Sequence, residues 1–147
     1  MQARMKNPAT VISAAQQPIM GLAKSAQGQG VSEELLDLVH LRVSQINGCS
    51  FCVDAGVKKL GKLSVSTERM GLVAAWRDAP YYTDAERAAL ALAEAVTERP
   101  ADVSDEVWDA AADHFDEQQL AAILLMIATT NLFNRLNAPI RQIAGTW

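Results

Sequence analysis

Apolar residues recur along the chain at helical spacing, and the polar residues between them mark where each helix begins and ends. From Leu35 the apolar positions are 35, 36, 38, 39, 41, 43 and 46, a wide stripe that predicts a mostly buried helix to about Ile46. Ser32 supplies its N-cap hydroxyl, and Glu33 and Glu34 suit the positive end of its dipole. Asn47 and Gly48 end it, because both tolerate the left-handed conformation common at a helix C-terminus. The next helix is expected to hold Cys49 and Cys52 in its first turn and to run to about Leu60, with Gly61 as its stop. Ser66 or Thr67 caps ERMGLVAAWRD, which Pro80 closes. Thr83 and Glu86 have the spacing of a capping box and open DAERAALALAEAVTER, with apolar positions 85, 88, 89, 92, 93 and 96. Ser104 starts DEVWDAAADHF. Asp116 starts EQQLAAILLMIATTNLFNRL, apolar nearly all round and so expected as the central buried helix or a subunit contact, until Pro139 breaks it.

Ahead of these lies an arm from Met1 to about Gly30, with short helices expected from Thr10 and from Pro18 and a flexible break at Gln27-Gly28-Gln29-Gly30. No segment has the alternation of a strand, and no repeat is visible. The prediction is an all-α protein: one domain at residues 31–147 preceded by the arm at residues 1–30.

Composition agrees with helix. Of the 147 residues 50% are hydrophobic, many of them Ala and Leu, and only 5% are aromatic. Trp76, Trp108 and Phe115 are expected in the core. The formal charge of −4 offers no basic face for phosphate, so no nucleic-acid partner is expected. The longest unbroken apolar run, Leu120 to Ala128, is well short of the about twenty residues that span a bilayer. Neither a membrane role nor a signal peptide is expected, and the chain is assigned to the cytoplasm.

The only two cysteines are Cys49 and Cys52, in a C-x-x-C immediately after a turn. In a reducing compartment such a pair is more often catalytic or metal-binding than structural. Residues three apart on a helix have Cβ atoms about 5–6 Å apart, against about 3.8 Å in a disulfide, so a modest distortion of the first turn would join them. The helix terminus favours thiolate, and by that argument it favours Cys49 as the reactive group, while Asp54 opposes ionisation. Three readings stand together: a redox dithiol, two buried structural thiols, and a zinc site. Zinc would need four ligands, and only His40 and His114 remain to join the cysteines at no familiar spacing.

LRVSQINGCSFCVD, followed by a basic helix, closely resembles the alkylhydroperoxidase D-like (AhpD-like) branch of the carboxymuconolactone decarboxylase family. The resemblance continues through AAWRDAPYYTDAERAALALAEAVTE and VSDEVWDAAADHFDEQQLAAILLMIATTNLFNRLN, and so covers about Ser32 to Arg141. It implies an all-helical fold, homo-oligomers such as trimers or hexamers, and a thiol-dependent peroxidase or peroxiredoxin-like activity through a reversible Cys49–Cys52 disulfide. The implied partners are a hydroperoxide substrate and a thiol or disulfide protein reductant, with no metal and no organic cofactor. In the family an acid, eleven residues, C-x-x-C, three residues and a histidine form the motif. Carried over, Cys52 attacks peroxide, Cys49 resolves the sulfenic acid, and Asp37 stands at the acid position.

Two departures follow. Asp37 is one methylene shorter than the family's usual Glu, and the histidine position holds Gly56. Losing a general base costs about 10²–10⁴-fold in rate. His40 is the nearby candidate substitute: at i, i+3 from Asp37 a carboxylate–imidazole pair that takes over part of the proton relay is feasible, against the reading that His40 simply packs or hydrogen-bonds within the fold. The alternative is a catalytically weak oligomer that uses the dithiol for redox sensing or disulfide exchange. Lactone decarboxylation, the reaction of the family's namesakes, does not depend on a C-x-x-C. Ser44 and Gln45 can hydrogen-bond near the thiols or equally satisfy the helix end, and Asn134, Arg135 and Asn137 are expected to make polar contacts between helices or subunits.

Overall fold

The computed structural model of the chain describes residues 2–146. Among them are eight α-helices, three short 3₁₀ turns and no strand: α1 Pro8–Val11, α2 Gln16–Ser25, α3 Glu33–Ile46, α4 Ser50–Lys62, α5 Thr67–Leu72, α6 Asp84–Glu98, α7 Asp105–Ala112 and α8 Glu117–Asn137. The all-α expectation holds.

Capping chemistry sets most of the helix starts. Ser32, Ser66, Thr83, Ser104 and Asp116 each accept a bond from the amide three residues on. At Thr83–Glu86 and Asp116–Gln119 the return bond completes a capping box. Two starts fall earlier than the pattern suggested. Asn7 caps α1 through its side chain, with Pro8 pre-set for the first helical position, and α2 begins at Gln16 rather than Pro18.

The helix expected after Ser66 stops early. α5 ends at Leu72 and gives way to a 3₁₀ turn at Val73–Ala75. The Arg87 guanidinium gathers the carbonyls of Trp76, Arg77, Ala79 and Tyr82, with distances of 2.6 Å and 2.7 Å to the first two. Carbonyls held by a side chain are satisfied without a continuing helix.

α3 lies at the centre. It packs against α4, α6 and α8, and both of its sides are buried. One side, with Leu36, Val39 and Val43, joins Leu92, Ile123 and Ile127 of α6 and α8. The other, with Leu38 and Leu41, joins Leu60, Trp76 and Leu90. Each fully buried Leu or Ile contributes about 1.5–3 kcal/mol by leaving water. α8, at 21 residues, is long and apolar enough by length and composition to cross a membrane; here it packs on α2, α3, α4, α6 and α7. Trp76 and Phe115 are buried as expected. Trp108 is not: it is 41% exposed on α7, although it stands at i, i+3 from the buried Ala111.

Glu94 is the buried charge of the interior. Its carboxylate accepts from Arg42 Nε at 2.7 Å, Trp76 Nε1 at 2.9 Å and Arg77 at 2.6 Å. Burial by itself would raise its pKa, but these donors outweigh burial and hold it below the usual range. The cluster ties α3, the loop after α5, and α6 together.

Candidate functional site

The turn between α3 and α4 places the cysteines. α3 closes in a Schellman motif: Gly48 has φ +65°, its amide donates to the Gln45 carbonyl at 3.1 Å, and the Cys49 amide donates to the Ser44 carbonyl at 3.1 Å. Gly48 is required there because a side chain in that conformation is strained. The same residue that completes this cap, Cys49, is the N-cap of α4. Its Sγ accepts from the Cys52 amide at 3.3 Å. Cys49 thus stands just outside the helix and Cys52 within its first turn. The two sulfurs are joined in a disulfide across a Cα–Cα separation of 5.3 Å, and both residues are buried.

The two sulfurs have different surroundings. Cys52 lines a cavity of about 470 Å³, with Phe51 and Lys59 of α4, His40 of α3, and Phe133 and Asn137 of α8. The arm covers this cavity with Asn7, Ile19 and Met20 among others. Cys49 does not line it. The Asn137 side-chain amide donates to Cys52 Sγ at 3.5 Å, and Asn137 Oδ1 accepts from Asn7 Nδ2 at 2.7 Å.

The hydrogen bond from His40 to the C-x-x-C goes to its backbone. Nε2 is 3.2 Å from the Cys52 carbonyl, an acceptor only, so Nε2 carries the hydrogen. Nδ1, 3.1 Å from Thr130 Oγ1, then accepts the threonine hydroxyl. Burial first, and the Lys59 charge second, push the His40 pKa down to about 4, against the carbonyl bond that raises it. The ring is neutral at neutral pH.

The Asp37–His40 pair that the spacing allows does not form. Asp37 is turned to Lys59, with Nζ at 3.4 Å, and both ring nitrogens of His40 already have other partners. Spacing of i, i+3 puts two residues on one side of a helix, but the neighbouring helices decide what each of them meets. Burial raises the Asp37 pKa, and Lys59 only partly offsets it.

Gly56 explains why His40 fits. A Cβ at position 56 would sit 3.1 Å from His40 Cδ2 and 3.5 Å from Leu41 Cα. The imidazole from α3 occupies the space beside α4 that a side chain at 56 would need. Asp54, expected to oppose thiolate, binds Lys58 at 2.9 Å and the Gly145 amide at 3.0 Å. Of the polar residues singled out near the turn, Ser44 accepts from Asn134 through its hydroxyl at 3.2 Å, while Arg135 bonds within α8 to Asn131. Asn134 and Asn137 both make contacts between helices. Thr130 and Asn7 carried no local signal, because their partners lie in other elements. Among the described residues no cluster of His, Cys, Asp and Glu is suited to hold a metal.

The family model for carboxymuconolactone decarboxylases matches residues 14–95, from α2 through the C-x-x-C into α6. The chain belongs to the carboxymuconolactone decarboxylase family. It is 32% identical over 120 residues to the uncharacterized protein YdfG of Bacillus subtilis, covering 81% of this chain and 82% of that one. It is 38% identical over 101 residues to the uncharacterized protein YnjA of Escherichia coli, covering 69% of this chain but 56% of its relative. A solved structure from Agrobacterium tumefaciens, a protein of unknown function described as a candidate antioxidant defence protein AhpD, superposes with a TM-score of 0.91. That likeness, at 30% identity, covers 99% of this chain and 100% of the other. The fold is AhpD-like, and the cysteine pair of this family member fits a peroxidase-like redox role.

Proposed function

We propose that the protein is a thiol-dependent peroxidase in which Cys52 attacks the hydroperoxide and Cys49 resolves. The observation that carries this reading is the bonded cysteine pair with one member, Cys52, in the wall of an apolar cavity. Cys52 thiolate attacks one peroxide oxygen and the O–O bond breaks. The leaving alkoxide takes a proton to become an alcohol, and Cys52 becomes a sulfenic acid. Cys49 thiolate then attacks the Cys52 sulfur, the S–S bond forms, and hydroxide leaves and takes a proton to become water. A dithiol reductant restores both thiols by two exchanges and is itself oxidised to a disulfide. The N-cap position of Cys49 suits the resolving role, since the α4 terminus stabilises thiolate there. The helix-end argument and the family's assignment of Cys52 are therefore compatible: each names a different step.

In this reading His40 is a positioning residue that holds the Cys52 carbonyl, and Asp37 with Lys59 forms a charged pair, Lys59 reaching the cavity wall. His40 accepts a proton only if Thr130 turns away from Nδ1. The engaged ring favours a second reading, a redox-sensing or disulfide-exchange protein with weak turnover. A cytoplasmic setting would supply the reductant for either. Association of copies of the chain is also proposed, supported by Val11 and Ile12, which expose 59% and 63% of their surface on the arm; light scattering tests it.

The test mixes reduced protein with hydrogen peroxide or cumene hydroperoxide, with and without dithiothreitol. A peroxidase forms the Cys49–Cys52 disulfide and continues to consume peroxide while dithiol lasts. Cys49→Ser stops at a Cys52 sulfenic acid that dimedone traps, and Cys52→Ser consumes nothing. Peroxide consumption that survives Cys52→Ser overturns the mechanism; one equivalent of disulfide without turnover selects the second reading.

A further inference from the structure

We infer that Asn137 is a catalytic residue that stabilises the Cys52 thiolate by donating its side-chain N–H to the sulfur, and that Asn7 of the arm orients it. This rests on the reading that Cys52 is the attacking thiol.

The direction of each bond follows from one unambiguous donor. The Ala9 backbone N–H can only donate, and it points at Asn7 Oδ1 at 2.8 Å. Asn7 therefore turns Nδ2 toward Asn137, which must present its oxygen, 2.7 Å away. Asn137 is left with its NH₂ facing Cys52 Sγ at 3.5 Å. The arrangement Ala9–Asn7–Asn137–Cys52 reads in one direction only. A disulfide sulfur is a weak acceptor, whereas a thiolate is a charged one, so the same N–H gains strength when the pair is reduced. A donor already in place when charge appears is electrostatic preorganisation. It also answers the engaged imidazole: an amide stabilises the anion without having to accept its proton. The arm is held where this requires it, with the Arg4 amide on the Ile140 carbonyl at 2.8 Å and the Arg4 guanidinium on the Pro139 carbonyl at 3.0 Å.

The experiment is run in Cys49→Ser, where one thiol remains and serine still caps α4. Iodoacetamide alkylation rate against pH gives the ionisation midpoint of Cys52. His40 and Asp37 of α3, and Lys59 and Asp54 of α4, stay the same in every variant, so their fields are common. Asn137→Ala should raise the midpoint by about one to two pH units, the range for a lost bond to a charged group. Asn7→Ser keeps an oxygen to cap α1 but is too short to reach Asn137; it should move the midpoint the same way by less. Circular dichroism establishes that each variant folds. An unmoved midpoint in Asn137→Ala overturns the assignment, and if that variant does not fold, an unmoved midpoint in Asn7→Ser does so. Peroxide-driven disulfide formation in the unsubstituted protein is scored separately. If the midpoints move but peroxide leaves the thiols intact, the role of Asn137 stands and the peroxidase reading falls.

Discussion

Acidification from pH 7 to pH 4 acts on the site through His40. The ring is buried and neutral, with its pKa pushed from the ordinary 6.5 down to about 4. An unfolded chain takes up a proton on this histidine as pH falls through 6.5, while the folded chain resists until about 4. Protons therefore favour the unfolded state across that window, and stability falls with pH. Above pH 6.5 the histidine contributes no pH dependence, and below about 4 the loss is complete. At about 1.4 kcal/mol per pH unit, the span from 6.5 to about 4 gives a loss of about 3 kcal/mol. That is a large part of a typical domain's stability of about 5–15 kcal/mol. Urea denaturation at several pH values between 7.5 and 4, on the protein and on His40→Gln, isolates this contribution. Glu86 and Glu94, held below their usual range, also shed stability as pH falls, and Asp37, raised, acts in the opposite sense. These effects are common to both proteins and cancel in the difference. The two stability curves should converge by about 3 kcal/mol between pH 6.5 and 4. Parallel curves, or a His40 ring resonance that titrates near 6.5, would refute the reasoning.

Gly56→Ala should reverse sign with its background. Alanine gains about 1 kcal/mol over glycine inside a helix. Here its Cβ meets a ring pinned at both nitrogens, 3.1 Å away, so we expect a net loss of about 1 kcal/mol in the parent and a gain of that size in His40→Ala, read by urea midpoints. Glu94→Ala leaves Arg42, Arg77 and the Trp76 indole without their shared acceptor and should cost about 3–5 kcal/mol, while Glu94→Gln, which keeps an oxygen, costs less; chemical denaturation decides. Ile123→Ala, at the fully buried contact of α8 with α3 and α6, should cost about 2–5 kcal/mol. Trp108→Ala, at a position 41% exposed on α7, should cost less than Ile123→Ala, and equal losses at the two sites would contradict the packing described.

Helix order and most helix starts are legible in the sequence because they are local. A cap is one side chain bonding an amide three residues on, and Ser32, Thr83, Ser104 and Asp116 announce theirs in sequence. The turn that sets Cys49 at the head of α4 is equally local, closed by Asn47 and Gly48. The irregular segment that follows α5 is not, because Arg87 collects its carbonyls, from Trp76 to Tyr82, from up to eleven residues earlier in the chain. Nor is the exposure of Trp108, which shares a side of α7 with the buried Ala111: spacing says which residues share a side, but not how far the neighbouring elements cover each of them.

Sequence alone determined the all-α class, the dithiol and its place at a helix start, and the absence of a side chain at position 56. Tertiary structure decided what surrounds the sulfurs. Thr130 reaches His40 across 90 residues of chain, Asn137 reaches Cys52 across 85, and Asn7 reaches Asn137 across 130. Asp37 and His40 share a side of α3, yet each is claimed by an element packed against it, Asp37 by Lys59 of α4 and His40 by Thr130 and the Cys52 carbonyl. A ring nitrogen or an amide bonds whichever partner the packing brings within about 3 Å. Helical periodicity specifies a direction, and only the docking of α4, α8 and the arm supplies the partner.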